Sequence, residues 1–270
     1  MIDSHCHIDL PAFDKDRDEV IRSAQANGVS RILVPGLDFT QVQKLLVLKK
    51  TFPLLDIAAG FHPYYLDAIG EENFESQLGL MSDWIAQHIA HIVAIGEFGM
   101  DGSLRLNKAF QERVFVSQLR LASAYKLPVI LHHRQSHNDL IRLLKQEKFG
   151  YGGVVHAFSG SEQIAQTYID MGFCLGVGGT ITYPRGAKTR LTLAKVSVNA
   201  LMLETDAPDM PIYGYQGQRN TPQRLGLIAD AIADVMQMAR SELVEVTTAN
   251  YLRVFSSGPS WASASPSELR

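Results

Sequence analysis

Eight short runs rich in apolar and β-branched residues alternate with longer stretches of helical period, and few architectures accommodate that order. The runs are Ile2 to His5, Arg31 to Val34, Leu55 to Gly60, Ile92 to Glu97, Val129 to His132, Gly153 to His156, Phe173 to Val177 and Leu201 to Asp206. Apolar residues at helical spacing predict helices over Lys15–Asn27, Phe39–Lys50, Lys108–Tyr125, Asp139–Gln146 and Glu162–Met171. Asn27-Gly28 offers the left-handed position at which the first of these stops, and Pro128 follows Tyr125 where a helix cannot continue. After the eighth run, an irregular stretch through Pro208, Pro211, Gly214 and Gly217 leads to Thr221-Pro222, an N-cap with proline in the first turn, and then to two closing helices. This is the sequence form of an α/β (β/α)8 TIM barrel, and 270 residues suit one such domain, which takes about 250. A single domain over 1–255 is expected, with a disordered tail over 256–270, where Ser, Ala and Pro dominate and helical period is lost.

A doubly wound open sheet shares the alternation, but it binds its ligand at a Gly-rich first turn. The first turn here is Ser4-His5-Cys6-His7, and Gly176, Gly178 and Gly179 come late and out of dinucleotide spacing, which sets a nucleotide cofactor aside. The net charge of −3 gives no global positive field, so any phosphate binding has to be built locally. Two cysteines, Cys6 and Cys174, are too few for a disulfide scaffold and point to a reducing compartment. With no basic-then-apolar leader and no run near the ~20 apolar residues of a membrane span, the expectation is a cytoplasmic protein without membrane partners.

Chemistry concentrates at the ends of the runs. His5 and His7 stand two apart, so strand geometry sends both imidazoles to one side and Cys6 to the other, into the core. Glu97 ends the fourth run, His132 the fifth, His156 the sixth and Asp206 the eighth. In a parallel barrel all these ends open on one face, where barrel enzymes place their catalytic groups. Burying an imidazole is costly unless both ring nitrogens find partners, so histidine at three strand ends needs a common cause. Four imidazoles and two carboxylates exceed one tetrahedral site with an open position, which predicts two divalent ions. Glu97, midway around the barrel, is the expected bridge: one ion on His5, His7, Glu97 and Asp206, the other on Glu97, His132 and His156. The fourth run contains no lysine, so the bridge is a carboxylate and amide or lactone hydrolysis is the weaker choice. Asp206 and Glu97 are the expected catalytic carboxylates, with Asp206 taking the proton of the attacking water. Glu204 and Asp3, two residues from strand-end ligands, are expected to orient them from behind. Magnesium, manganese and zinc all suit such a set.

Loops after the strands carry Arg134, Arg185, Lys188, Arg190 and Arg219, and Gly178-Gly179-Thr180 follows the seventh run, where barrels often bind phosphate. Among these, Arg134 and Arg219, together with His62 and Tyr64 after the third run, are the expected substrate contacts. His133 should point away from the site, and His137 is a bystander.

Four segments complete the reading: Ile2-Asp3-Ser4-His5-Cys6-His7-Ile8-Asp9, Gly96-Glu97-Phe98-Gly99-Met100-Asp101, His156-Ala157-Phe158-Ser159-Gly160 and Leu203-Glu204-Thr205-Asp206-Ala207-Pro208. From Met1 to about residue 255, the chain resembles the TatD-type metal-dependent deoxyribonucleases, and Arg219-Asn220-Thr221-Pro222 looks like that family's closing loop. The resemblance implies a barrel with two divalent ions on His5, His7, Glu97, His132, His156 and Asp206, hydrolysing the phosphodiesters of DNA. One segment departs from the pattern: in Leu131-His132-His133-Arg134-Gln135-Ser136-His137, the ligand is followed by His133 rather than a small residue, and Ser136 stands where Ala or Thr is usual. Two other readings stay open, a hydrolase of phosphomonoesters or aminoacyl-tRNA esters on the same site, and a non-catalytic metal or nucleic-acid binding protein.

Overall fold

A computed structural model describes residues 1–256; of the tail expected over 256–270, Ser256 caps α10 through a bond from its N–H to Leu252 O at 2.9 Å, and the rest lies outside the described residues. Eight strands run in sequence order around one sheet: β1 (Ile2–Asp3), β2 (Arg31–Val34), β3 (Leu55–Ala59), β4 (Ile92–Asp101), β5 (Val129–Arg134), β6 (Gly153–Val155), β7 (Phe173–Val177) and β8 (Leu201–Leu203). Each successive pair is parallel. Backbone bonds from Ser4 N–H to Leu203 O at 2.9 Å and from Asp206 N–H to His5 O at 2.8 Å tie the two ends of the sheet into a ring. The helices are α1 (Arg17–Ala26), α2 (Phe39–Thr51), α3 (Leu66–Ile69), α4 (Phe74–His88), α5 (Lys108–Tyr125), α6 (His137–Gln146), α7 (Glu162–Asp170), α8 (Ala187–Leu193), α9 (Leu225–Met236) and α10 (Arg240–Phe255). Among the described residues no helix is long and apolar enough to cross a membrane.

The strands depart from their expected limits where the site is built. β1, β6 and β8 stop before His5, His156 and Asp206, because the chain leaves the ladder there and Ala157 and Asp206 take left-handed φ of 46° and 54°. β4 runs past Glu97 to Asp101, with a register shift against β5 between Ile95 and Phe98. Glycine makes this passage possible: Gly96 has φ 149°, and a Cβ on Gly99 would collide with the carbonyl of His132 on β5.

One inward residue or more from every strand fills the barrel: Ile2, Leu33, Ala58, Val93 and Ala94, Ile130, Val154, Cys174 and Met202, closed from below by Tyr251 and Phe255 of α10. Asp56 fastens that closure. It is 3% exposed and accepts from Arg31 at 3.0 and 3.1 Å and from the Tyr251 hydroxyl at 2.7 Å. Tyr251→Phe removes one donor from a buried carboxylate that keeps its cation, so urea unfolding is expected to show a loss of about 1–2 kcal/mol. Unchanged stability would show that the bond contributes nothing. The sealed end leaves the opposite mouth, at the C-terminal ends of the strands, as the place for a site.

Candidate metal centre

At that mouth one buried carboxylate has five imidazole nitrogens around it. His5 Nε2 and His7 Nε2 stand 3.1 and 3.6 Å from Glu97 Oε2, and 3.3 Å from each other. His132 Nδ1, His156 Nε2 and His62 Nε2 stand 3.1, 3.1 and 3.4 Å from Glu97 Oε1. Asp206 Oδ1 joins the first group, 3.6 Å from His5 Nε2 and 3.7 Å from His7 Nε2. The structure thus brings together all six residues expected to hold metal, in two sets sorted by the two oxygens of Glu97.

Protons alone do not satisfy this arrangement. Glu97 is 1% exposed, and its Oε2 has His5 close by but not in hydrogen-bond geometry, so the atom is left without a partner. On the far side of the rings the Nδ1 atoms of His5 and His7 are buried without a hydrogen-bond partner, and His156 Nδ1 has Glu204 Oε1 at 3.5 Å, while the Nε2 atoms face Glu97. Nitrogen lone pairs and carboxylate oxygens pointed at one another fit cations between them. His5, His7 and Glu97 form one group of the required closeness, and His62, Glu97 and His132 form another.

Electrostatics follow from the crowding. Burial pushes the Glu97 carboxyl up, but His156, His62, His5 and the bond from His132 outweigh it and hold the group well below the usual range. Burial lowers His156, and Glu97 and Asp206 more than reverse this, raising it well above an ordinary imidazole. Burial also drives His7 well down, with neighbouring His5 adding to the effect. Asp206 is pushed up to about 6, by burial first, with His156 and His5 opposing.

Two carboxylates stand behind the rings, and a third ties together the strand ends that carry them. Asp101 Oδ2 lies 3.3 Å from His132 Nε2, leaving Nδ1 to face Glu97. Asp101 is a site residue beyond those expected from sequence, and the signal for it is that it falls four residues after Glu97, a spacing that keeps a strand's side chains on one face. Glu204 Oε1 accepts the Ala157 N–H at 2.6 Å and sits 3.5 Å from His156 Nδ1. A Cβ on Gly176 would strike Glu204 Oε2, so glycine on β7 makes room for this carboxylate. Asp3 does not touch a ring; it accepts from Thr205 Oγ1 at 2.6 Å and Thr205 N–H at 2.9 Å, pinning the β1 end to the β8 end. Burial pushes the Asp3 carboxyl up to about 8, against those bonds. Because His5, His156 and Glu204 lie within one group, Glu204→Gln is expected to weaken metal binding about 10- to 100-fold, measured by titration calorimetry with Mn²⁺. Wild-type affinity in that variant would remove Glu204 from this role.

A cavity of about 480 Å³ opens above the cluster, bordered by His7, Glu97, His132, His156 and Asp206 below and by Leu10, Leu37, Met210, Tyr64 and Arg134 around the sides. Tyr64 is 51% exposed and its hydroxyl receives a bond from Arg134 Nη1 at 3.1 Å. His62, expected as a substrate contact, lies inside the cluster itself. Arg219 corrects the sequence reading: it does not border the cavity, because it is bound to Asp16 at 2.5 and 2.8 Å and lies 4.6 Å over the ring of Phe13. Arg190 is likewise committed, donating to the carbonyls of Ile181, Tyr183 and Pro184. His133 does not join the cluster. Its ring stacks on His137 at 4.1 Å, although part of it borders the cavity.

The model of the TatD-related DNases matches residues 2–256. An uncharacterized metal-dependent hydrolase of Escherichia coli K12, YjjV, is 37% identical over 94% of this chain and 97% of its own. A 3′-5′ ssDNA/RNA exonuclease TatD of Cronobacter sakazakii is 33% identical over 94% of this chain and 97% of its own. The crystal structure of the E. coli YjjV protein superimposes with a TM-score of 0.88, covering 95% of this chain and 98% of that one at 36% identity.

Proposed function

The chain belongs to the TatD-related DNase family and is a metal-dependent hydrolase, and from that premise we propose that it cleaves phosphodiester bonds at the ends of single-stranded DNA with two divalent ions held across Glu97. The observation that carries this reading is the sorting of imidazoles by the two Glu97 oxygens. His5, His7, Glu97 and Asp206 would hold one ion; Glu97, His132 and His156, with His62 beside them, the other. Zinc, manganese and magnesium each suit this mixture of nitrogen and oxygen. Bound there, divalent ions supply Lewis acidity toward a phosphoryl oxygen and lower the pKa of water.

The chain's own groups divide the remaining work. Both cluster carboxylates border the cavity, but the Asp206 side chain is 14% exposed where Glu97 is 1%, so Asp206 is the more open of the two and can take a proton from water at its Oδ. Arg134 offers a planar donor fork that suits a phosphate, and Tyr64 offers a ring face to the base beside it. Asp101 and Glu204 hold the rings of His132 and His156 in place. The cavity is floored by the cluster and the barrel below is filled, so substrate reaches the cluster from the open mouth. A relative named as a 3′-5′ ssDNA/RNA exonuclease supports the same choice of substrate.

The test is incubation of manganese-loaded protein with end-labelled single-stranded DNA, a generic phosphomonoester and an aminoacyl ester. Stepwise shortening of the DNA is the expected result. Turnover of the aminoacyl ester alone would make this an ester hydrolase of another kind.

A further inference from the structure

We propose that the paired loops after β7 and β8 form a ledge that holds the unreacted part of a single-stranded substrate, bases against Tyr213 and Tyr183 and phosphates against Arg185 and Lys188. This rests on the nuclease reading above and adds where the rest of the strand lies. Tyr213 is 55% exposed and meets Tyr183 edge to face at 5.8 Å. The Arg185 guanidinium lies 4.9 Å over the Tyr183 ring, and both Arg185 and Lys188 are exposed. Aromatic faces next to cations are what sequence-tolerant single-strand binding needs, because every base has a π-face and every linkage a charge.

The exposure of Tyr213 does not come from a loosely tethered loop. The Tyr183 hydroxyl donates to Pro211 O at 2.7 Å, and the Tyr213 N–H donates to Thr182 Oγ1 at 2.8 Å. A Cβ on Gly179 would come within 2.5 Å of Met210 O, so glycine lets the two loops touch. Arg190 fastens the carbonyls of Ile181, Tyr183 and Pro184 from below. A ledge held this way loses little conformational entropy when a strand binds. It is also continuous with the site: Met210 borders the cavity and Tyr213 follows three residues later. In a chain of net charge −3, a local pair of cations beside this rim is where phosphates would be attracted.

The experiment compares kcat/KM on a strand of about twelve nucleotides, within the reach of such surfaces, with kcat/KM on a dinucleotide. In Tyr213→Ala the long-to-short ratio is expected to fall about tenfold, the low range for one lost base stack. Tyr213→Phe, which keeps the ring, should retain the wild-type ratio. In Arg185→Ala the slope of log affinity for the long strand against log salt should flatten by about 0.7, one phosphate contact. A wild-type ratio in Tyr213→Ala together with an unchanged salt slope in Arg185→Ala overturns the ledge while leaving the nuclease intact. If the wild-type protein turns over a small phosphodiester but neither strand, the nuclease reading fails and the ledge with it.

Discussion

Asp206→Asn is expected to lower kcat on single-stranded DNA by about 10³-fold, within the range that a positioned general base contributes. Asparagine keeps the shape of the side chain and removes both its charge and its capacity to accept a proton. The backbone should tolerate the change, because position 206 has φ 54° and asparagine adopts the left-handed region more readily than most residues. The bond from Asp206 N–H to His5 O is made by the backbone and survives. Loss of turnover with an unaltered melting curve is therefore the expected pair of results. A variant with wild-type kcat would place the proton acceptor elsewhere.

Glu97→Gln strikes the other carboxylate and should be at least as severe. Glu97 is where both sets of imidazoles meet, so with the two ions proposed above, replacing one of its oxygens by an amide would remove a ligand from one and the shared charge from both. Loss of an outer partner alone costs about 10- to 100-fold in metal affinity, and loss of the bridge should exceed that. Metal analysis of the purified variant should find fewer than two ions per chain, with activity lost in parallel. Two tightly held ions in Glu97→Gln would mean that another group joins the sites.

Much of this is legible in the sequence, and the reason is topological. A parallel barrel brings every strand end to one mouth, so His5, His7, Glu97, His132, His156 and Asp206 could be assigned to a common site from their places in the runs alone. What was not legible depends on local geometry or on distant partners. β4 reads as ending at Glu97 because Gly99 is a poor strand former, yet Gly96 and Gly99 let the strand pass β5 closely, and it continues to Asp101. His62 follows a strand as Tyr64 does, but only the folded loop turns its imidazole toward Glu97 while Tyr64 stays at the rim. Arg219 follows the eighth run as a substrate contact would, but its partner Asp16 is 203 residues away in the chain, and nothing in the local pattern announces that pairing. α4 is different, because Phe74, Leu78, Met81 and Ile85 stand at i, i+4, i+7 and i+11, the spacing of one helical face, so the sequence itself carries the signal for this helix.

The most direct measurement is anomalous diffraction from crystals soaked in manganese. The account requires two peaks, one on each side of the Glu97 carboxylate, the first within reach of His5 and His7 and the second within reach of His132 and His156. A single peak away from Glu97, or rings that swing apart with no peak among them, would contradict it.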